Sequence, residues 1–207
     1  MSETEIRKAI EQERRDLADV LAGLDEAGWD HPTLCAGWRV RETVAHITMA
    51  YRMPLPKFAW EMLKARGNFN AMADRVARRE AAEISAADLL QCVRDNVNHP
   101  WKPPGGGYEG ALGHDIIHGL DITVGLGLDR VVPPESLRYV LADQSPKSIK
   151  FFGVDLDGIQ LRADDMDWTY GSGAPLTGRA QDLLLVQCGR KLPPGHLQGA
   201  AAERFTA

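Results

Sequence analysis

The sequence predicts an α+β protein, with a helical part over residues 1–132 and a small α+β part over residues 133–207. Three observations carry this reading. Apolar residues recur at helical spacing through the first 130 or so positions, as in Ile6, Ile10, Leu17, Leu21 and Leu24. The pair Pro133-Pro134 interrupts that regime and sets a soft boundary near 130–135. Beyond it, short runs separated by turn residues alternate with helical stretches, the pattern of a small mixed sheet with helices beside it.

Taken in order, residues 3–27 read as one amphipathic helix that Gly28 ends. A connector bearing Pro and Gly, Trp29 to Gly37, leads to a helix from about Val40 to Arg52 with the stripe Val40, Val44, Ile47 and Tyr51. Residues 57–80 are a more charged helical stretch, interrupted around Gly67-Asn68. Ser85 reads as the N-cap of a helix running to about Asn98. The Pro- and Gly-rich segment 100–107 cannot be helical and carries Trp101, as a connection or a lid. It opens into the helix that contains His114 and His118. After the boundary, Glu135 to Phe152 begins helically. Strands are expected at 158–164, 167–171 and 174–178, then a helix over 179–190.

The totals exclude several classes. A chain of 207 residues, 44% hydrophobic and 26% charged, is an ordinary globular protein able to bury one good core or two small ones. A net charge of −5 leaves no basic excess for a nucleic acid backbone. No apolar run reaches the roughly 20 residues that span a bilayer, and the charged start of the chain lacks an export signal. Cys35, Cys92 and Cys188 are odd in number and scattered, which fits reduced thiols in the cytoplasm.

Chemistry concentrates in the stretch His114-Asp115-Ile116-Ile117-His118. On a helix of about 100° per residue, His118 falls roughly 40° from His114, so both imidazoles leave one face. Asp121, near 340°, and Gly125, near 20°, share that stripe, with Gly110 and Ala111 flanking it, at about 100° per residue. These small residues are expected to leave room for an ion and a ligand, and Asp121 to orient an imidazole as an acceptor. Ile116, Ile117, Leu120 and Val124 form a separate apolar sector. Asp115, about 100° from His114, is expected to be a solvated surface carboxylate. His46 lies off the apolar stripe of its own helix, where a cleft-facing ligand and a plain surface histidine are equally allowed. Three protein ligands with an open position distinguish a catalytic zinc site from a closed structural one.

The run Trp29-Asp30-His31-Pro32-Thr33-Leu34-Cys35-Ala36-Gly37-Trp38-Arg39-Val40-Arg41-Glu42-Thr43-Val44-Ala45-His46 resembles the N-terminal signature of the mycothiol-dependent maleylpyruvate isomerase family. That family belongs to the wider DinB-like group of metal-binding four-helix bundles. His114 to Ile122 resembles its second metal helix. Leu161 to Trp168 and Leu183 to Arg190 are similar to its small C-terminal domain. The resemblance implies a DinB-like bundle that binds a divalent metal at His46, His114 and His118, with zinc expected and nickel, iron or copper also suited to imidazoles. In the isomerase branch the first residue of the second pair is a glutamate, whereas this chain has His114. An all-imidazole set is neutral and leaves the ion its full charge, so the resemblance carries the metal motif further than the specific reaction.

The resemblance also implies mycothiol or a related low-molecular-weight thiol as cofactor and a small electrophile as partner; charge and hydropathy argue against a nucleic acid or membrane partner, and a monomer or homodimer is expected. A metal in such a site favours thiolate over thiol. The thiolate then adds to a conjugated double bond and leaves after rotation, giving isomerisation, or stays attached, giving transfer. Metal-bound water would instead give a hydrolase, and a bundle without catalysis would be a binding module. A zincin-type hydrolase would use Asp115 as general base, one methylene shorter than the usual glutamate. Cys35 reads as a buried small residue and not a nucleophile. Arg39, Arg52 and Lys102 are candidates for anion recognition, indistinguishable here from ordinary surface charge. His31, His99 and His196 carry no assignment.

Overall fold

The computed structural model describes all of residues 1–207. Ten α-helices and a four-stranded sheet give the α+β class that the sequence predicts. Helix α1 (Glu3–Ala22) begins at a Ser2/Glu5 capping box. It ends at Gly23, short of the expected residue 27, because Asp25 caps a separate short helix, α2 (Glu26–Trp29), through Gly28 N–H. Gly28 therefore lies inside a helix and does not terminate one. Helix α3 (Val40–Arg52) matches its expected span. The charged stretch divides into α4 (Leu55–Lys64) and α5 (Phe69–Glu83) at Gly67-Asn68, and Ser85 caps α6 (Ala86–Asp95).

Helix α4 is turned inside out. Its Glu61 is buried against Arg75, Arg79 and Lys64, while Leu55 and Leu63 face solvent. Helix α7 (Gly107–Gly125) is the central element, packed against α1, α3, α8 and α10. It is buried almost all round, with Leu112, Ile116, Leu120 and Ile122 fully enclosed.

Helices α8 (Pro134–Asp143) and α9 (Pro146–Phe151) precede strands β1 (Ile159–Ala163), β2 (Thr169–Gly171) and β3 (Ala174–Gly178), which lie where the sequence places them. After α10 (Ala180–Gln187) come β4 (Leu197–Gln198) and a 3-10 turn, Ala202–Phe205, neither of which the sequence announces. The sheet order is β2-β1-β3-β4, with β3 parallel to β1 and the other pairs antiparallel. To reach both sides of β1, the chain rounds its start through Gly173, at φ +128°, where a Cβ would lie 2.1 Å from Gly158 O. Only glycine fits there. One hydrophobic core joins Ile6 and Ile10 of α1 to Ile116 and Leu120 of α7, Leu161 of β1 and Leu183 of α10, so it crosses residues 132/133 without a break. No helix is long and apolar enough to cross a membrane.

Candidate metal centre

Helix α7 carries His114 and His118 on consecutive turns, and α3 packs across it bearing His46. The three rings converge. Their centroids are 4.7 to 5.3 Å apart, and each offers a ring nitrogen within 4.8 Å of the others. His46 Nε2 and His114 Nε2 are 3.4 Å apart. Two nitrogens bound to one tetrahedral zinc at about 2.0–2.1 Å stand roughly 3.3 Å apart, so this gap suits a shared ion.

The rear nitrogens decide which atoms are free. His114 Nδ1 lies 3.0 Å from Asp115 Oδ1, and His118 Nδ1 lies 3.0 Å from Asp121 Oδ2. A carboxylate accepts only, so both histidines donate Nδ1–H and keep a lone pair on Nε2. Across 3.4 Å a His46 Nε2–H can donate to the His114 Nε2 lone pair, and with its proton on Nδ1 instead His46 presents a second lone pair to a cation. His46 lacks such support, since its Nδ1 is buried without a partner.

Burial, reinforced by the neighbouring imidazoles, holds His46 well below the usual imidazole range. Burial also pushes His118 down to about 4, against the pull of Asp121. Both rings are thus neutral at pH 7, the form that ligates. A pH dependence follows for the metal-free protein. The unfolded chain takes up protons at these histidines near pH 6.5, about the free imidazole value, while in the folded chain burial keeps His46 neutral well below that and His118 until about 4. Stability therefore falls as pH drops through that window. Denaturation midpoints measured from pH 7.5 to 4.5 should decline, and more shallowly in His118→Gln; an equal decline in both would contradict the assignment.

Asp121 is fully buried and gripped by Arg190, whose Nε and Nη2 each donate at 2.8 Å. Burial opposes its ionisation, but Arg190 and His118 outweigh it and hold the carboxyl well below its ordinary range. The Cys35 thiol donates to Asp121 Oδ2 at 3.0 Å. Burial and the Asp121 charge raise that thiol far above its ordinary pKa, which leaves it a poor nucleophile. Cys35, His118 and Asp121 also cluster at ligand distance. Arg190 Nη2 stands 3.3 Å from the sulfur and 2.8 Å from the carboxylate, so a positive charge already fills that position.

Two expectations are corrected. Asp115 is not a solvated carboxylate: it is 4% exposed and pairs with Arg14 Nε at 2.8 Å. The helical wheel assumed solvent beyond the histidine face, whereas α1 packs there. Nor do the small residues of α7 make room for an ion. A Cβ at Gly125 would lie 2.8 Å from Pro32 O, and one at Gly110 would lie 2.8 Å from Pro103 Cγ. Those glycines admit the connector and the 100–107 loop, and Ala111 is in the core.

Each of these segments brings a tryptophan. The Trp38 ring lies 5.2 Å from His46, tethered by Nε1 to Asp74, and the Trp101 ring stands edge-on 5.1 Å from His114. The His114 and His118 side chains remain 17% and 13% exposed, which keeps the cluster reachable.

The family model described as the mycothiol maleylpyruvate isomerase N-terminal domain matches residues 10–99. Over these residues the chain is similar to that family. The matched segment contains the connector, Trp38 and His46, and stops before α7, so His114 and His118 lie outside it. A crystal structure of the mycothiol-dependent maleylpyruvate isomerase is similar over 98% of this chain and 94% of its own, with TM-score 0.64 and 14% identity. A histidine-to-alanine mutant of that enzyme is similar over the same shares, with TM-score 0.62 and 14% identity. At this identity the likeness is one of fold. No curated protein matches the sequence.

The remaining candidates lie elsewhere. Arg39 pairs with Asp30 and Glu42, Arg52 with Glu80, and Lys102 sits over the Tyr108 ring. His31 is exposed, His99 packs on Tyr51, and His196 pairs with Asp182. Sequence reasoning missed Arg14 and Arg190. Arg14 carried a usable signal, a charge within the stripe Ile10, Leu17 and Leu21; Arg190 carried none.

Proposed function

We propose that this chain is a metal-dependent enzyme that uses a low-molecular-weight thiol of the mycothiol type to isomerise an electrophilic small molecule or to be transferred to it. The observation that carries the reading is the convergence of three imidazoles within 4.8 Å, two of them backed by buried carboxylates. The family match and the shared fold support the thiol dependence. His46, His114 and His118 would hold a divalent ion, zinc first among those that imidazoles suit. Such an ion, when bound, supplies the charge that favours thiolate over thiol at neutral pH.

The chain's own residues do the rest. Asp115 and Asp121 fix the tautomers of His114 and His118. Asp121 acts from behind His118 and is engaged by Arg190, so it does not close the ligand set. Trp38 and Trp101 wall the site with apolar surface, which limits water and suits a conjugated electrophile. Asp115 has both oxygens engaged, by Arg14 and His114, which disfavours its use as a zincin-type general base. Three free cysteines accord with a reducing cytoplasm.

Elemental analysis of wild type beside His46→Ala, followed by turnover of conjugated electrophiles with and without thiol, tests the proposal. One equivalent of metal in wild type, none in the variant, and consumption that needs both metal and thiol are expected. Absence of metal after reconstitution would favour a binding module, and thiol-independent water addition a hydrolase.

A further inference from the structure

Arg14 lies in the apolar face of α1 and is 1% exposed. A buried guanidinium is costly unless it is paired and hydrogen-bonded. Its Nε donates to Asp115 Oδ2 at 2.8 Å, and its Nη1 donates to the carbonyls of Asn96, Val97 and His99 at 3.3, 3.2 and 2.8 Å. The other Asp115 oxygen accepts from His114 Nδ1 at 3.0 Å. Arg14 therefore reaches the histidine cluster only through one carboxylate.

We propose that Arg14 is a positioning residue for the candidate metal centre, locking His114 in the Nδ1–H tautomer with Nε2 directed toward His46. The purpose of this lock rests on the metal reading above; its geometry does not. A neutral imidazole carries its proton on whichever nitrogen meets the better acceptor. By claiming one oxygen of Asp115, Arg14 fixes the rotation of the carboxylate and leaves the second oxygen facing His114 Nδ1. Its three carbonyl contacts also anchor the turn just before the loop that brings Trp101 against His114. One side chain thus sets both the rear and the flank of this imidazole. His118 has a separate support in Asp121 and Arg190, and serves as an internal reference.

The test compares wild type, Arg14→Met, Arg14→Lys and the pair Arg14→Met with Asp115→Asn. Long-range proton–nitrogen spectra of the metal-free proteins report each histidine tautomer, and competition with a chelator reports zinc affinity. In Arg14→Met, His114 is expected to populate the Nε2–H form while His118 does not change, with zinc bound about 10–100-fold more weakly. Arg14→Lys keeps a cation beside Asp115 and should retain the tautomer. The paired variant should lose little beyond the single one, because both act through one contact, and it removes the unpaired buried charge should Arg14→Met not fold. An unchanged His114 tautomer in both Met-bearing proteins, or an equal change at His118, overturns the proposal. The metal reading fails separately, if wild type shows the expected tautomers and binds no metal.

Discussion

His118→Ala is expected to purify folded and without metal. The imidazole contributes no atom to the hydrophobic cores, so its removal leaves the packing of Ile116 and Leu120 in place. Asp121 loses one hydrogen bond but keeps both donors from Arg190, and no buried charge is orphaned. The metal has no such reserve. With two histidines left, of which His46 lacks support at Nδ1, affinity should fall by more than the roughly 100-fold typical of losing an outer hydrogen-bond partner. Metal content after dialysis, read beside a thermal melt, checks both halves. Stoichiometric metal in the variant would contradict the ligand assignment, and an unfolded variant would contradict the claim that the core is independent of it.

The second large effect belongs to Arg190→Met. Asp121 is 0% exposed, and Arg190 is its only full counter-charge. Removing one partner of a buried pair costs about 3–5 kcal/mol, because the remaining charge keeps its desolvation penalty. Adding Asp121→Asn should recover much of that loss, since an amide carries no charge and can still accept from His118. Denaturant unfolding of the two variants reads the difference. If Arg190→Met unfolds within 1 kcal/mol or so of wild type, the bidentate contact is not the constraint described here.

Periodicity made α3, α7 and the first three strands legible, because each buries one side or one run of residues. The helix over 3–27 was overdrawn: Leu24 continued the apolar spacing past the point where Gly23 and Asp25 had changed the capping. Strand β4 is two residues at a sheet edge and leaves no pattern. His114 and His118 were visible as a pair because four residues on a helix fix their relation. The role of Asp115 was not visible, since it depends on which helix lies beyond the histidine face. The same holds for Gly110 and Gly125, whose meaning comes from the loops that cross them. Arg190 reaches Asp121 across 69 residues, a contact that no local rule reports.

That last separation has a consequence for how the molecule comes into being. As the chain leaves the ribosome, α7 is complete long before residue 190 has been made. Until then Asp121 has nowhere favourable to go: enclosure strands a lone negative charge, and exposure keeps α7 from settling. Stable docking of the central helix is therefore expected only once Arg190 is present. A chain lacking Arg190 would hold all three histidines and still lack a settled place for one of them, so metal uptake would depend on a residue made well after its ligands.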